Sequence, residues 1–233
     1  MHNCRGASQR TEMERQPEPE AMDIEEEAQA YAAADFSGVN EAFVERLVEL
    51  AGPTERALAL DLGTGPGDIP LRLWRRRGGW KIVAGDVSRA MLELARSAIE
   101  ATGAAGSVWP VEQDSKAAPF KSGAFNVVFS NSILHHITDT TRLWGEVRRL
   151  SRRGTLIFLR DLARPQSSQA VSEIVQRYAG TESALLQEEY YRSLLSAYTP
   201  DEVRAQLARA GLNGLRVEMV TDRHLDVFGR VDG

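Results

Sequence analysis

Three groups of residues in this 233-residue chain have the types and spacing to do chemistry. The first is the stretch Ala57-Leu58-Ala59-Leu60-Asp61-Leu62-Gly63-Thr64-Gly65-Pro66-Gly67-Asp68, an apolar run that stops at an acid and then at three alternating glycines. It reads as a buried strand feeding a tight turn. Glycines there tolerate positive φ and let backbone N–H groups approach a ligand, while the following helix directs its N-terminal dipole at the same spot. A nucleotide-like or carboxylate-bearing ligand suits such a turn. The second group comprises polar residues that end later apolar runs: Asp86, Asp114, Asn131 and Asp161. One βαβ unit after Asp61, Asp86 stands where a carboxylate can accept hydrogen bonds from both hydroxyls of a ribose. The third is the pair His135-His136. An imidazole can take a proton near neutral pH, and a carboxylate such as Asp161 can orient it.

The glycine pattern departs from the dinucleotide fingerprint G-x-G-x-x-G, which asks for glycine or alanine where this chain has Asp68 and asks for no acid at Asp61. The pattern D-x-G-x-G-x-G resembles motif I of class I S-adenosylmethionine-dependent methyltransferases. That resemblance implies S-adenosyl-L-methionine as cofactor, held by Asp61, Gly63, Thr64, Gly65 and Gly67 at the first turn and by Asp86 on the ribose. It also implies Asp114 on the adenine amino group, and adds Val87, Met91, Ser115 and Asn131 to the same site. His135 and His136 followed by Asp161 resemble the arrangement in natural-product sugar and phenol O-methyltransferases. They are the implied catalytic residues, acting on a hydroxyl of a small-molecule acceptor. Ubiquinone-pathway O-methyltransferases place acidic metal ligands with a histidine in this region. Here Ser132 and His135 stand where acids would be wanted, and Asp139 is the only carboxylate close by in sequence. No metal is expected.

Other readings remain open for these residues. Asp161 can pair with Arg160 or Arg164, and one histidine can cap the next helix. The His224 side chain reads as a sheet-surface residue. A macromolecule is the second class of acceptor, although the chain lacks the Asn/Asp-Pro-Pro-aromatic run of amino-methylating relatives and has Asn131-Ser132-Ile133-Leu134 instead. A cofactor-binding protein without catalysis is the third reading, and a nicotinamide dehydrogenase the fourth.

The elements that must position these groups follow from periodicity. Strands are expected over 57–62, 80–84, 107–111, 125–130, 154–159, 215–220 and 224–229, with helices over 68–77, 88–102 and from Thr140 or Thr141 to Leu150. Thr199-Pro200-Asp201-Glu202 is a helix start, with Thr199 as cap and proline at the first helical position. Five strands alternating with helices and two joined by the short turn Thr221-Asp222-Arg223 give a doubly wound, seven-stranded, mostly parallel α/β sheet. This matches the Rossmann-like fold of the resembled family.

Two further segments flank that core. Residues 1–20, polar and carrying Pro17 and Pro19, read as a disordered leader ahead of a single domain over 21–233. Within that domain, 21–52 reads as two cap helices, Met22 to Ser37 and Asn40 to Leu50, with Tyr31, Phe36 and Asn40 as candidates for touching cofactor. Core packing explains Tyr31 and Phe36 equally well, and an N-cap explains Asn40. Residues 165–198 read as a helical cap inserted after the fifth strand.

Composition limits the partners. With 42% hydrophobic and 26% charged residues the chain is an ordinary globular sequence, and its net charge of -5 gives no support to nucleic-acid binding. Cys4 is the only cysteine, so neither an internal disulfide nor a thiolate zinc site is available. No run of about 18 apolar residues marks a membrane span. A cytoplasmic monomer or homodimer acting on a small molecule is expected.

Overall fold

The computed structural model describes residues 13–19 and 35–232. The expected helix over Met22–Ser37, its Tyr31, the single Cys4 and residues 1–12 and 20 of the expected leader lie outside the described residues, apart from the last turn at 35–37.

In chain order the elements are α1 (Ser37–Ala51), β1 (Leu58–Leu62), α2 (Asp68–Arg76), β2 (Lys81–Asp86), α3 (Arg89–Thr102), β3 (Val108–Glu112), β4 (Phe125–Asn131), α4 (Thr140–Leu150), β5 (Ser151–Leu162), α5 (Ser168–Ala179), α6 (Ala184–Ser196), α7 (Pro200–Arg209), β6 (Arg216–Met219) and β7 (His224–Arg230). The sheet order is β3-β2-β1-β4-β5-β7-β6. β1 to β5 pair in parallel, and β7 runs antiparallel to both β5 and β6. The expected doubly wound sheet is therefore present, with its order reversing between β1 and β4, where open α/β sheets bind ligands.

Period-two alternation sorts the strand side chains between two layers. Leu60, Val128, Ile157 and Leu159 pack with Trp144, Val147 and Leu150 of α4 and with Val203 and Leu207 of α7. Ala59, Ile82, Val127, Phe129 and Phe158 pack on the other face against Phe43 and Leu47 of α1 and Leu73 of α2. Phe43 is fully buried and stacks on Phe158 with ring centroids 4.5 Å apart. A side chain of that size contributes about 1.5–3 kcal/mol by burial. The start of α1 is thereby fixed beside the sheet's ligand-binding edge.

Capping follows the sequence closely. Ser88 accepts from the Met91 backbone at the start of α3, and Thr199 and Glu202 form a reciprocal capping box on α7. For α4 the cap is Asp139, one residue earlier than expected, because its carboxylate accepts from Arg142 N. Asn40 is no cap; it lies one turn inside α1.

The larger departure is at the N-terminus. Residues 13–19, read from sequence as part of a disordered leader, are seated along the body between α6 and the turn after β4. Met13 joins the apolar cluster of α5 and α6, Gln16 N donates to Leu195 O at 3.1 Å, and Arg15 Nε donates to Ser196 O at 2.6 Å. The Arg15 guanidinium also donates to His135 O at 2.8 Å and lies 4.1 Å from the Tyr198 ring centroid. The polar, proline-bearing composition lacks a helical or strand period because the segment is an extended arm. Its bonds go to neighbouring elements, which no periodicity reports.

Candidate active site

A cavity of about 1050 Å³ opens at the C-terminal edge of the sheet. At its inner end the β1–α2 turn holds Gly63, Gly65 and Gly67 at φ 74°, 54° and 86°, a region that side-chain-bearing residues resist. Gly63 N and Thr64 N both donate to Gly85 O at 2.9 Å, and Gly65 N donates to Asp86 Oδ2 at 2.8 Å. Asp86 Oδ1 accepts from Ser88 N at 2.9 Å, so one carboxylate joins the first turn to the second. Gly67 faces α3, where an added Cβ would lie 3.1 Å from Ala95 Cβ.

Of the residues singled out by sequence, Asp61, Gly63, Thr64, Gly65, Asp86, Val87, Met91, Asp114, Ser115, Asn131, His135 and His136 line this one cavity. Gly67 and Asp161 do not. Gly67 supports the turn from behind, and Asp161 lies beneath the histidines. Asp114 is held by Lys116, whose backbone and ammonium offset partial burial and keep its carboxyl below the ordinary value. Asn131 Nδ2 donates to Asn40 Oδ1 at 3.3 Å, and Asn40 Nδ2 donates to Asp68 Oδ2 at 2.8 Å, which ties α1 to β4 and α2.

Buried polar atoms without partners show what this end of the cavity is built for. Among the described residues they are Asp61 Oδ2, Thr64 Oγ1, both amide atoms of Gln113, and Arg77 Nε. All but the last belong to residues of the cavity wall. Orphaned atoms of this kind are rare in native interiors, and four of them on one cavity wall offer hydrogen-bonding groups to a polar ligand. Burial outweighs the lowering effect of the Thr64 hydroxyl and, with the charge of Asp86 nearby, pushes the Asp61 carboxyl up to about 8. Gln113 is absent from the sequence-based assignment. Its only sequence signal is its place at the end of β3 beside Asp114, and its side chain crosses to Gly85, where a Cβ would collide with it.

At the outer end, the 3-10 turn Leu134–His136 follows Ser132, whose φ of 62° is the only positive value at a non-glycine position among the described residues. Asp161 Oδ1 lies 2.5 Å from His135 Nδ1, Asp161 Oδ2 accepts from Leu134 N at 2.6 Å, and Leu162 N adds a third donor. Arg160 binds Asp226 and Arg164 binds Glu202, so neither pairs with Asp161. Burial disfavours the charge on both buried members of the pair. Their mutual attraction prevails: the His135 pKa is raised and the Asp161 pKa lowered. The two imidazoles lie 4.1 Å apart, tilted by 36°. Burial and the neighbouring His135 push His136 down to about 3, so it is neutral at physiological pH.

The arm brings a carboxylate that sequence proximity could not reveal. Glu18 Oε1 lies 3.2 Å from His136 Nδ1 and 3.5 Å from His135 Nε2, and Ser193 Oγ donates to it at 3.1 Å. Glu18, His135 and His136 thus present three donor atoms within 4.8 Å of one another. His224, expected on the sheet surface, is instead half-buried and lines the cavity, because β7 sits inside the sheet between β5 and β6. Burial pushes its pKa down to about 4.

Residues 59–154 match a family model described as a methyltransferase domain. The chain is 32% identical over 185 residues to a demethylmenaquinone methyltransferase of Thermus thermophilus, covering 76% of this chain and 83% of that protein. This chain belongs to the class I S-adenosylmethionine-dependent methyltransferases. It is also 29% identical over 133 residues to a ubiquinone/menaquinone biosynthesis C-methyltransferase of Acidiphilium cryptum, spanning 57% of this chain and about half, 53%, of that relative. The fold is similar to the crystal structure of a SAM-dependent methyltransferase from Aquifex aeolicus, with a TM-score of 0.66 at 18% identity over 89% of this chain and 98% of the other. S-adenosylmethionine is the cofactor of the methyltransferase family, and the orphaned polar atoms beside the glycine turn fit a ligand rich in donors and acceptors. Among the described residues no helix is long and apolar enough to cross a membrane.

Proposed function

We propose that this methyltransferase acts on a hydroxyl oxygen of a small, largely apolar acceptor, with His136 accepting the hydroxyl's hydrogen bond and taking its proton as the new O–C bond makes that proton acidic. Bound S-adenosylmethionine supplies a methyl already activated for in-line displacement. Asp61, Thr64, Gly65, Asp86, Val87, Met91, Gln113, Asp114, Ser115 and Asn131 hold the cofactor, and Gly63 and Gly67 shape the turn. Alignment of the two reactants is then the main requirement, worth roughly 7–11 kcal/mol.

One observation carries the base assignment. His136 Nδ1 faces two acceptors, Pro19 O at 3.1 Å and Glu18 Oε1 at 3.2 Å, so the proton of the neutral ring resides there. Nε2 then presents its lone pair, and it has no partner among the described residues. His135 has both nitrogens engaged by carboxylates. The cavity walls near the pair come from Ile133, Ile137, Leu162, Leu186 and Tyr190, which suits an apolar or aromatic acceptor with few polar groups.

A second reading has His136 accept the hydrogen bond of a quinol hydroxyl while the methyl goes to a ring carbon, whose own proton then leaves to restore the aromatic ring. The names of the relatives favour it, one being a demethylmenaquinone methyltransferase and the other a C-methyltransferase of quinone biosynthesis. A screen of phenols and quinols for S-adenosylhomocysteine release identifies the acceptor. A trideuteromethyl donor followed by NMR of the product then places the label on oxygen or carbon. Turnover confined to amines, or to protein or RNA, would refute both readings.

A further inference from the structure

We infer that Glu18 is a positioning residue, and that the arm over 13–19 is a working part of the acceptor site. Docked there, Glu18 holds His135 protonated between two carboxylates and so leaves proton removal to His136. This rests on the base assignment above.

The arm is fixed by independent contacts at each step: Met13 in the α5–α6 cluster, Arg15 on Ser196 O and His135 O, Gln16 on Leu195 O, and Glu18 on Ser193. The Glu18 side chain is only 8% exposed. A carboxylate is seldom buried without a charged or multiply bonded partner. Here the partner is His135, itself 4% exposed, with Asp161 on its other nitrogen. The groups facing this imidazole are Glu18 and Arg15 from the arm, Asp161 from β5 and His136 from its own turn, with Glu189 of α6 acting on Glu18. Two carboxylates outweigh one guanidinium, and the proton stays on His135. Burial holds the Glu18 carboxyl above its ordinary value, while His135 opposes that rise.

The charge on His135 determines the behaviour of its neighbour. Two imidazoles 4.1 Å apart cannot both be protonated without repulsion, so a charged His135 keeps His136 neutral. Pro19 O, next along the arm, fixes the tautomer. Without the arm the pair would lose both the second carboxylate and the tautomer lock.

Histidine-selective ¹⁵N NMR of the full chain tests this without any acceptor, with resonances assigned by His135→Gln and His136→Gln. Wild type should show His135 titrating above the ordinary imidazole value and His136 neutral across pH 6–8. Glu18→Gln should lower the His135 titration midpoint by about one unit, since one of its two opposite charges is gone. Glu18→Asp should restore part of the shift. Once an acceptor is known, Glu18→Gln should reduce kcat and alter its pH profile while cofactor affinity stays unchanged. An unchanged His135 midpoint in a folded Glu18→Gln protein overturns the inference, even if the variant turns over slowly. It is also overturned if added zinc perturbs both histidine signals in wild type but not in Glu18→Gln, because the three side chains then form a metal site. If the midpoint shifts as expected and His136→Gln turns over at the wild-type rate, the positioning role stands and the base assignment fails.

Discussion

Asp61→Asn should stabilise the cofactor-free protein, against the usual expectation for a substitution in a family motif. The residue is 2% exposed, Oδ2 has no hydrogen-bond partner, and burial raises its carboxyl from 3.8 to about 8. The group is therefore protonated in the native state and ionised in the unfolded chain at pH 7. Holding that proton over roughly three pKa units costs about 4 kcal/mol at 1.36 kcal/mol per unit. Asparagine has nearly the same shape and no charge to neutralise. Relaxation around the site will reduce the gain, so a few kcal/mol, or roughly 5–10 °C in Tm for a chain of this size, is the expected outcome. The sign of the pH dependence is diagnostic. A raised carboxyl pKa means that the native state binds the extra proton, so wild-type stability falls as pH rises from about 4 to about 8. The variant should lack that slope, and the two curves should converge toward pH 4. Urea unfolding of cofactor-free protein at pH 5, 6, 7 and 8 measures both. If Asp61→Asn is less stable at pH 7 and the slopes coincide, the carboxylate is ionised in the fold and the orphaned oxygen has a partner.

Asp86→Ala should weaken S-adenosylmethionine binding by roughly 10- to 100-fold in calorimetry, since hydrogen bonds to a charged group contribute about 1.5–3 kcal/mol each and Gly65 N loses its acceptor as well. Asp161→Asn should lower turnover by about 10²–10⁴-fold while cofactor affinity holds, because His135 loses the charge that retains its proton. Phe43→Ala should destabilise by about 3–5 kcal/mol in chemical denaturation, from the void left against Phe129 and Phe158.

The fold was legible because its signals are local. Glycines after Asp61, acids at the ends of β2 and β3, and the capping box at Thr199 each depend on a few neighbouring residues, and the apolar runs at 57–62 and 125–130 mark buried strands directly. That these residues share one cavity wall was legible for the same reason, save Gln113, which reaches that wall by crossing from β3 to Gly85. Glu18 was not legible. Its place beside His136 depends on an extended arm whose hydrogen bonds run to α6 and the turn after β4, and such a segment has no period of its own. The lengthening of β5 to Leu162 was also missed: its antiparallel pairing with β7 carries it past Leu159 to the register Leu162↔His224. That extension puts Asp161 inside a strand and buries it under His135.

Asp61 and Asp161 are both almost fully buried on the same edge of the sheet, yet burial has opposite outcomes for them. Asp61 has no cation beside it, and burial outweighs what the Thr64 hydroxyl offers, so desolvation prevails and the acid stays neutral. Asp161 receives two backbone N–H groups and an imidazole, so the pair ionises despite its depth. A neutral acid can donate as well as accept, which suits a wall meant to meet a polar ligand that comes and goes. A carboxylate hydrogen-bonded to an imidazole whose pKa it raises instead fixes an orientation and a local field. The same sheet edge thus has an adaptable end beneath the glycine turn and a rigid, charged end beside the apolar wall of the cavity.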